Sequence, residues 1–211
     1  MSQQFHLHTV FPTCLYIADV EHGAKINEAM LPHIYRLRDK DKAEIKDPEL
    51  LSVFENEVWS TYFSHPGRGL IDEPWTQDLQ RAVIENTELF AEQLQLNFGN
   101  RKPRVTTLFA NIHEELYHRH DAHTHPGSMF SGSYFVKAYP GAGRFRLINP
   151  CRALQFHEFS YHEQSELNVN DVSLEPVAGR LVMFQSHVPH AVDRPTARGE
   201  RIAVAFNVNY E

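Results

Sequence analysis

Five of the fourteen histidines in this chain fall between His113 and His125. Two of them, His123 and His125, flank a single residue in the run His120-Asp-Ala-His-Thr-His-Pro126. In an extended strand, side chains two residues apart share a face, roughly 6–7 Å apart along the backbone. Both imidazoles can therefore converge on one metal ion. Imidazole suits iron, zinc, copper and nickel, so residue type alone does not select the metal. A lone H-x-H is also what a histidine-rich surface turn contains, and a third ligand has to be found before the pair means chemistry. His190, between two strand-like runs, is that candidate. Asp121 shares the face of His123 by the same count, which leaves a second completion open with Asp121 in place of His125.

The other suggestive residue is Arg201. The run RIAVAFNVNY alternates, so that Arg201, Ala203, Ala205 and Asn207 share one face while Ile202, Val204 and Phe206 share the other. An arginine at the end of a face of small residues is unusual for a core. Burying it unpaired is costly, so it should meet a carboxylate. Its planar fork grips a carboxylate through two parallel hydrogen bonds, which lysine cannot imitate. A ligand carboxylate is the sharper reading; a salt bridge to Glu200, Asp193 or another surface acid is the plainer one.

Such residues need a scaffold, and the chain divides into a helical half and a strand-rich half. After a short apolar stretch around Val10 to Ile17, helical spacing predicts one helix over 24–38 and a second over about 48–63. The Gly- and Pro-rich run SHPGRGLIDEPW reads as a loop with the content of a lid. Trp59, Tyr62 and Trp75 around it either face a substrate or pack helices onto a sheet. A third helix is predicted over about 77–97, with Thr76 as N-cap and Gly99 as stop. From Arg104 onward the runs VTTLFANI, SMFSGSYFVKAY, RFRLI, DVSLEPV, RLVMFQ and RIAVAFNVNY are short, β-branched or aromatic, and separated by Gly, Pro and Asn. No βαβ alternation occurs, which argues against a parallel doubly wound sheet. The expectation is an α+β chain with an antiparallel jelly roll, helices buttressing one sheet. Asn111, with His113 on the same strand face, either lines the pocket or serves core hydrogen bonds.

With 211 residues, residues 1–211 suit a single domain, 1–103 mainly helical support and 104–211 the β core. A hydrophobic share of 42% and a charged share of 22% are ordinary for a globular protein. No stretch has the apolar length of a membrane span, and MSQQFHLHTVF lacks the layout of a signal peptide. Cys14 and Cys151 form no C-x-x-C pair and suit a reducing, cytoplasmic compartment. The formal charge of -7 argues against a nucleic-acid partner, and Arg101-Lys-Pro-Arg104 reads as a solvated turn. A homodimer is the default for soluble oligomers.

The order of these elements resembles the 2-oxoglutarate, Fe(II)-dependent oxygenases built on a double-stranded β-helix. More narrowly it is similar to a bacterial and phage branch with an Asn strand, HxHP, SGxYYV, a Gly-led strand, and H followed by RxxxxFN. Here those elements read Asn111, His123-Thr-His-Pro126, Ser131-Gly-Ser-Tyr-Phe-Val136, Gly179-Arg-Leu-Val-Met-Phe184, His190 and Arg201-Ile-Ala-Val-Ala-Phe-Asn207. The resemblance covers about residues 105–210; the first half is matched only by the family's helical support. It implies a cupin-like double-stranded β-helix whose Fe(II) is held by His123, His125 and His190. It also implies 2-oxoglutarate held by Arg201, with Ser133 and Asn111 lining its site. The expected reaction is hydroxylation of a small-molecule or peptide substrate with conversion of 2-oxoglutarate to succinate, without a catalytic dyad beyond the metal ligands.

Two departures stand out. Most such oxygenases place a carboxylate where His125 stands, and many carry Tyr where this chain has Phe135, removing a hydroxyl that Ser133 could replace. Three rival readings follow: a three-histidine cupin-like dioxygenase needing no 2-oxo acid, a non-catalytic metal- or sugar-binding sandwich, and a zinc hydrolase with Asp121, Glu114 or Glu115 as base.

Overall fold

The alternation of the C-terminal run decides how the layers stack. The computed structural model describes residues 9–151, 160, 162–165 and 167–211, so the signal-peptide reading of the first residues lies largely outside them. Strand β10 (Arg201–Tyr210) runs through the middle of a six-stranded sheet, between β5 (Phe130–Lys137) and β3 (Pro103–His113). Strands β1 (Leu15–Asp19) and β8 (Arg180–Gln185) extend this sheet on one side, and β2 (Trp59–Ser60) ends it on the other. A second sheet has the order β4 (His120–His123), β9 (His190–Val192), β6 (Phe145–Ile148), β7 (Asp171–Leu174). All of these strand pairs are antiparallel.

One face of the large sheet is apolar because it receives the helices. Ile202, Val204 and Phe206 of β10 join a core that includes Ile26, Met30 and Ile34 of α1 (Gly23–Glu44) and Leu79, Val83 and Phe90 of α4 (Gln77–Gln93). The four-residue spacing of the α1 set makes one stripe along the helix. Each such large side chain contributes about 1.5–3 kcal/mol by leaving water. The other face meets the second sheet through a smaller cluster, Phe135, Val182, Phe184 and Ala203 against Phe145, Leu147 and Val192. The expected strands from Arg104 onward and the helical buttress are all present. Among the described residues no helix is long and apolar enough to cross a membrane.

Helix α1 runs on to Glu44, beyond the expected 24–38, and the later helices differ from expectation in three further places. The helix expected over 48–63 is broken: α2 spans Pro48–Asn56, capped by the Asp47 carboxylate, which accepts the Glu49 N–H at 2.8 Å. The chain then extends so that Trp59 and Ser60 pair with Ile112 and Asn111, and resumes as α3 (Thr61–Ser64). Burial of Trp59 and a sheet edge in need of a partner outweigh helical propensity there. Thr76 does not cap α4 with its side chain; its hydroxyl reaches back to the Leu70 and Glu73 carbonyls at 3.1 and 2.8 Å. Finally, α4 ends at Gln93, where Gln95 turns left-handed (φ 55), well before Gly99.

Gly132 lets the phenyl ring of Phe206 lie directly on β5. A Cβ there would stand 2.2 Å from the Val182 carbonyl oxygen and 2.3 Å from the Phe206 ring. Gly132→Ala is therefore expected to destabilise the protein by about 3 kcal/mol, the upper end of ordinary overpacking, in a urea titration. A midpoint unchanged from wild type would contradict this packing.

Candidate active site

Between the two sheets the polar faces of β3, β5 and β10 look toward β4 and β9. His123 on β4 lies directly across from His190 on β9, and their ring centroids are 4.3 Å apart. His125 does not sit on the strand, contrary to the period-two reading: β4 ends at His123. It reaches the same point from the following turn, where its N–H donates to the Ser186 carbonyl at 3.1 Å. One ligand nitrogen from each of the three histidines lies within 4.8 Å of the others, and Nε2 of His125 is 3.2 Å from Nε2 of His190. Two nitrogens bound to one ion at about 2.1 Å stand about 3.0 Å apart at a right angle and about 3.4 Å apart at the tetrahedral angle. The observed spacing fits one shared ion. Asp121, the alternative to His125, instead pairs with Arg119 at 3.1 Å.

Backbone carbonyls orient two of the rings. Nδ1 of His123 faces the Asp121 carbonyl at 2.8 Å, and Nδ1 of His190 faces the Val188 carbonyl at 3.1 Å. A proton on each Nδ1 leaves the Nε2 lone pairs for a ligand. His125 is fixed through its turn instead. The Ser131 and Ser186 hydroxyls are 2.6 Å apart, Ser131 donates to Asn207 Oδ1 at 2.7 Å, and Asn207 Nδ2 donates to Thr107 at 2.7 Å. This buried chain ties the Ser186 backbone, and so His125, to the floor of the large sheet.

Arg201 closes one end of the floor. It is 2% exposed, and its Nε and Nη2 have no hydrogen-bond partner among the described residues. The acids weighed as partners are engaged elsewhere: Glu200 binds Lys137 at 2.6 Å, and Asp193 lies 3.0 Å from Arg146. Burial lowers the Arg201 pKa to about 10. Its guanidinium lies over the Phe135 ring, 5.2 Å from the centroid. His113 is its direct cross-strand neighbour, with Nδ1 3.5 Å from Arg201 Nη1 and a buried Nε2 that has no partner among the described residues. Asn111 pairs opposite Ala203, and Ser133 opposite Ala205, four residues along β10 from Arg201. Arg201, the three histidines, Asn111, His113 and Ser133 all line one cavity. His120, also on its wall, stands in the histidine cluster but is not among the site residues that the sequence points to; its ring packs 4.8 Å from that of His113.

Residues 108–207 match a family described as "Putative 2OG-Fe(II) oxygenase". The match covers a little under half of the chain. No curated protein matches it in sequence. Among solved structures it is similar to HygX from Streptomyces hygroscopicus, at 12% identity and a TM-score of 0.57, over 93% of this chain and 83% of HygX. It is also similar to a prolyl-4-hydroxylase from Pseudomonas putida, at 16% identity and a TM-score of 0.54, over 94% of both chains. A 2OG-Fe(II) family oxidoreductase from Burkholderia pseudomallei matches at 13% identity and a TM-score of 0.48 over 68% of this chain, which spans only 60% of that protein. The chain shares the double-stranded β-helix fold of HygX and the prolyl-4-hydroxylase.

Burial also sets the protonation of the histidines. It lowers His190 to about 3 and His125 to about 4, with the neighbouring His123 adding to each shift. His120 falls to about 4 by burial and then by Arg201, and His113 lies well below its ordinary value for the same two causes. All four are neutral at pH 7, as metal binding requires of an imidazole. Because these pKa values lie below that of an unfolded histidine, the unfolded chain takes up protons first on acidification. Stability of the metal-free protein is therefore fully present above about pH 6.5 and declines as pH falls toward about 4. Thermal melts between pH 7.5 and 5 should show that decline, and His190→Gln should make it shallower; parallel profiles would contradict the assignment.

Proposed function

We propose that this protein is an Fe(II)- and 2-oxoglutarate-dependent oxygenase in which His123, His125 and His190 hold the metal and Arg201 holds the distal carboxylate of the cosubstrate. One observation carries the reading. A fully buried arginine with no carboxylate partner among the described residues faces the same cavity as three converging imidazoles. Unpaired burial of a guanidinium is among the more expensive arrangements in a protein, and a dicarboxylate ligand relieves it. The crystal structure of HygX with nickel and 2-oxoglutarate bound supports the cofactor pair. The free thiols Cys14 and Cys151 fit a reducing, cytoplasmic setting.

The iron, once bound with 2-oxoglutarate and O2, supplies oxidative decarboxylation to succinate and CO2, coupled to insertion of an oxygen atom into a substrate C–H bond. The chain's own residues bind and orient. Arg201 offers Nε–H and Nη2–H as a two-pronged donor to one carboxylate. His113, opposite it, accepts from Arg201 through Nδ1 and so carries its proton on Nε2, as a further donor. Phe135 has no hydroxyl to donate, and its ring instead shields the guanidinium from water. Ala203 and Ala205 keep the floor free of bulk between that end and the metal ligands. Ser133 and Asn111 supply polar walls.

The three-histidine ligand set alone also fits a dioxygenase that needs no 2-oxo acid, but that reading leaves Arg201 without a partner. Succinate formation at varied 2-oxoglutarate separates the two. Arg201→Met should raise the half-saturating concentration by at least about a hundredfold, since two charge-assisted bonds at about 1.5–3 kcal/mol each are lost, with iron content unchanged. His113→Phe should raise it about tenfold from one lost bond. His190→Ala should abolish stoichiometric iron. Loss of iron from Arg201→Met with unaltered 2-oxoglutarate dependence would sink the assignment.

A further inference from the structure

The cavity is larger than the metal and a dicarboxylate require. It runs outward from the histidines and Arg201 between α2, β2 and α3, about 1320 Å³ in all, against roughly 300–1,000 Å³ for pockets that enclose small ligands. Its outer wall consists of side chains that proteins seldom leave together in water. Leu50 is 60% exposed, Val53 57%, Tyr62 59% and Phe63 79%. Leu50 and Val53 lie three apart on α2 and so share a face, and no residue of that helix is buried. Grouped exposed apolar side chains mark an interaction surface.

Two independent features say what kind of molecule covers it. The first is main-chain. Strand β4 ends the small sheet and β2 ends the large one, so among the described residues the outer edge of each has no strand partner. Both strands line this cavity through Trp59, Ser60, His120, Asp121 and His123. A free strand edge is satisfied best by another extended main chain. The second is charge. Asp41, Glu44, Glu57 and Asp121 border the outer cavity; Arg119 offsets Asp121 and Lys40 lies 3.8 Å from Glu44, which leaves Glu57 and Asp41, the latter accepting only from the neutral Trp59 indole, without a cation among the described residues.

Building on the oxygenase reading, we propose that the groove takes an extended polypeptide segment bearing a basic residue and an apolar neighbour. The segment's main chain lies beside β4, its apolar side chain packs on Leu50 and Val53, and its cation meets the acids of the outer wall. Because His123 is itself on β4, a segment paired along that edge carries one of its residues past the metal ligands. The alternation of side chains along the segment then selects which residue is presented.

The test uses Fe(II)-loaded protein under argon, with 2-oxoglutarate, and two pools of fluorescein-labelled blocked decapeptides. One pool fixes lysine at the centre and leucine two positions away, and the other replaces that lysine with glutamate. By anisotropy, the lysine pool should bind roughly tenfold more tightly than the glutamate pool, the difference shrinking with added salt. Leu50→Ser with Val53→Ser, both at exposed positions, should keep the wild-type melting temperature and weaken binding of the lysine pool roughly tenfold. Equal binding of the two pools, no binding of either, or an unchanged double variant would overturn the proposal. So would displacement of the peptides by dodecylamine at lower concentration, which would assign the groove to a cationic amphiphile. Failure of 2-oxoglutarate itself to bind would count against the oxygenase reading instead, since the peptide titration can be repeated on metal-loaded protein alone.

Discussion

The guanidinium of Arg201 sits fully inside the sandwich, two of its nitrogens without a partner among the described residues. Much of the architecture reads as what it takes to hold a charge there. The central strand β10 carries it, and β3 and β5 on either side supply His113 and Phe135. Glu200 is drawn off to Lys137 and Arg38, and Asp193 to Arg146. A cation kept from internal acids keeps its fork free for a ligand, at a cost in stability that the apolar helix-facing core has to offset.

The metal ligands rest on the opposite sheet, and the two sheets differ in how they hold their parts. His123 and His190 are cross-strand partners, each oriented by a carbonyl two residues earlier in its own chain segment. His125 depends on the large sheet, through the Ser186 backbone and the buried Ser131–Asn207–Thr107 chain. The triad is thus assembled across the sandwich, and its geometry reports on how the two sheets are docked.

Much of this could be read from residue order. Alternation in RIAVAFNVNY separated the helix-facing set from the cavity-facing set, because a strand in a sheet covered on both sides still has two chemically different faces. The three histidines and Arg201 were legible from their order and spacing. The means by which His125 arrives was not, since a turn and a strand can both bring i and i+2 imidazoles together. The direct pairing of His113 with Arg201 depends on strand register, which no local pattern encodes. The break after Asn56 was hidden as well, because burial of Trp59 is a tertiary effect and the window on either side is helical by propensity. His120 was overlooked because its neighbours only become apparent once β3 and β4 are placed side by side.

The central claim is that one cavity binds Fe(II) through three histidines and a 2-oxo diacid through Arg201. Its most direct test is titration of the Fe(II)-loaded protein with 2-oxoglutarate in the absence of O2, followed by visible absorption. A weak charge-transfer band should grow to saturation with one equivalent of cosubstrate, and should need far more in Arg201→Met. Stoichiometric iron without any such band would contradict the account.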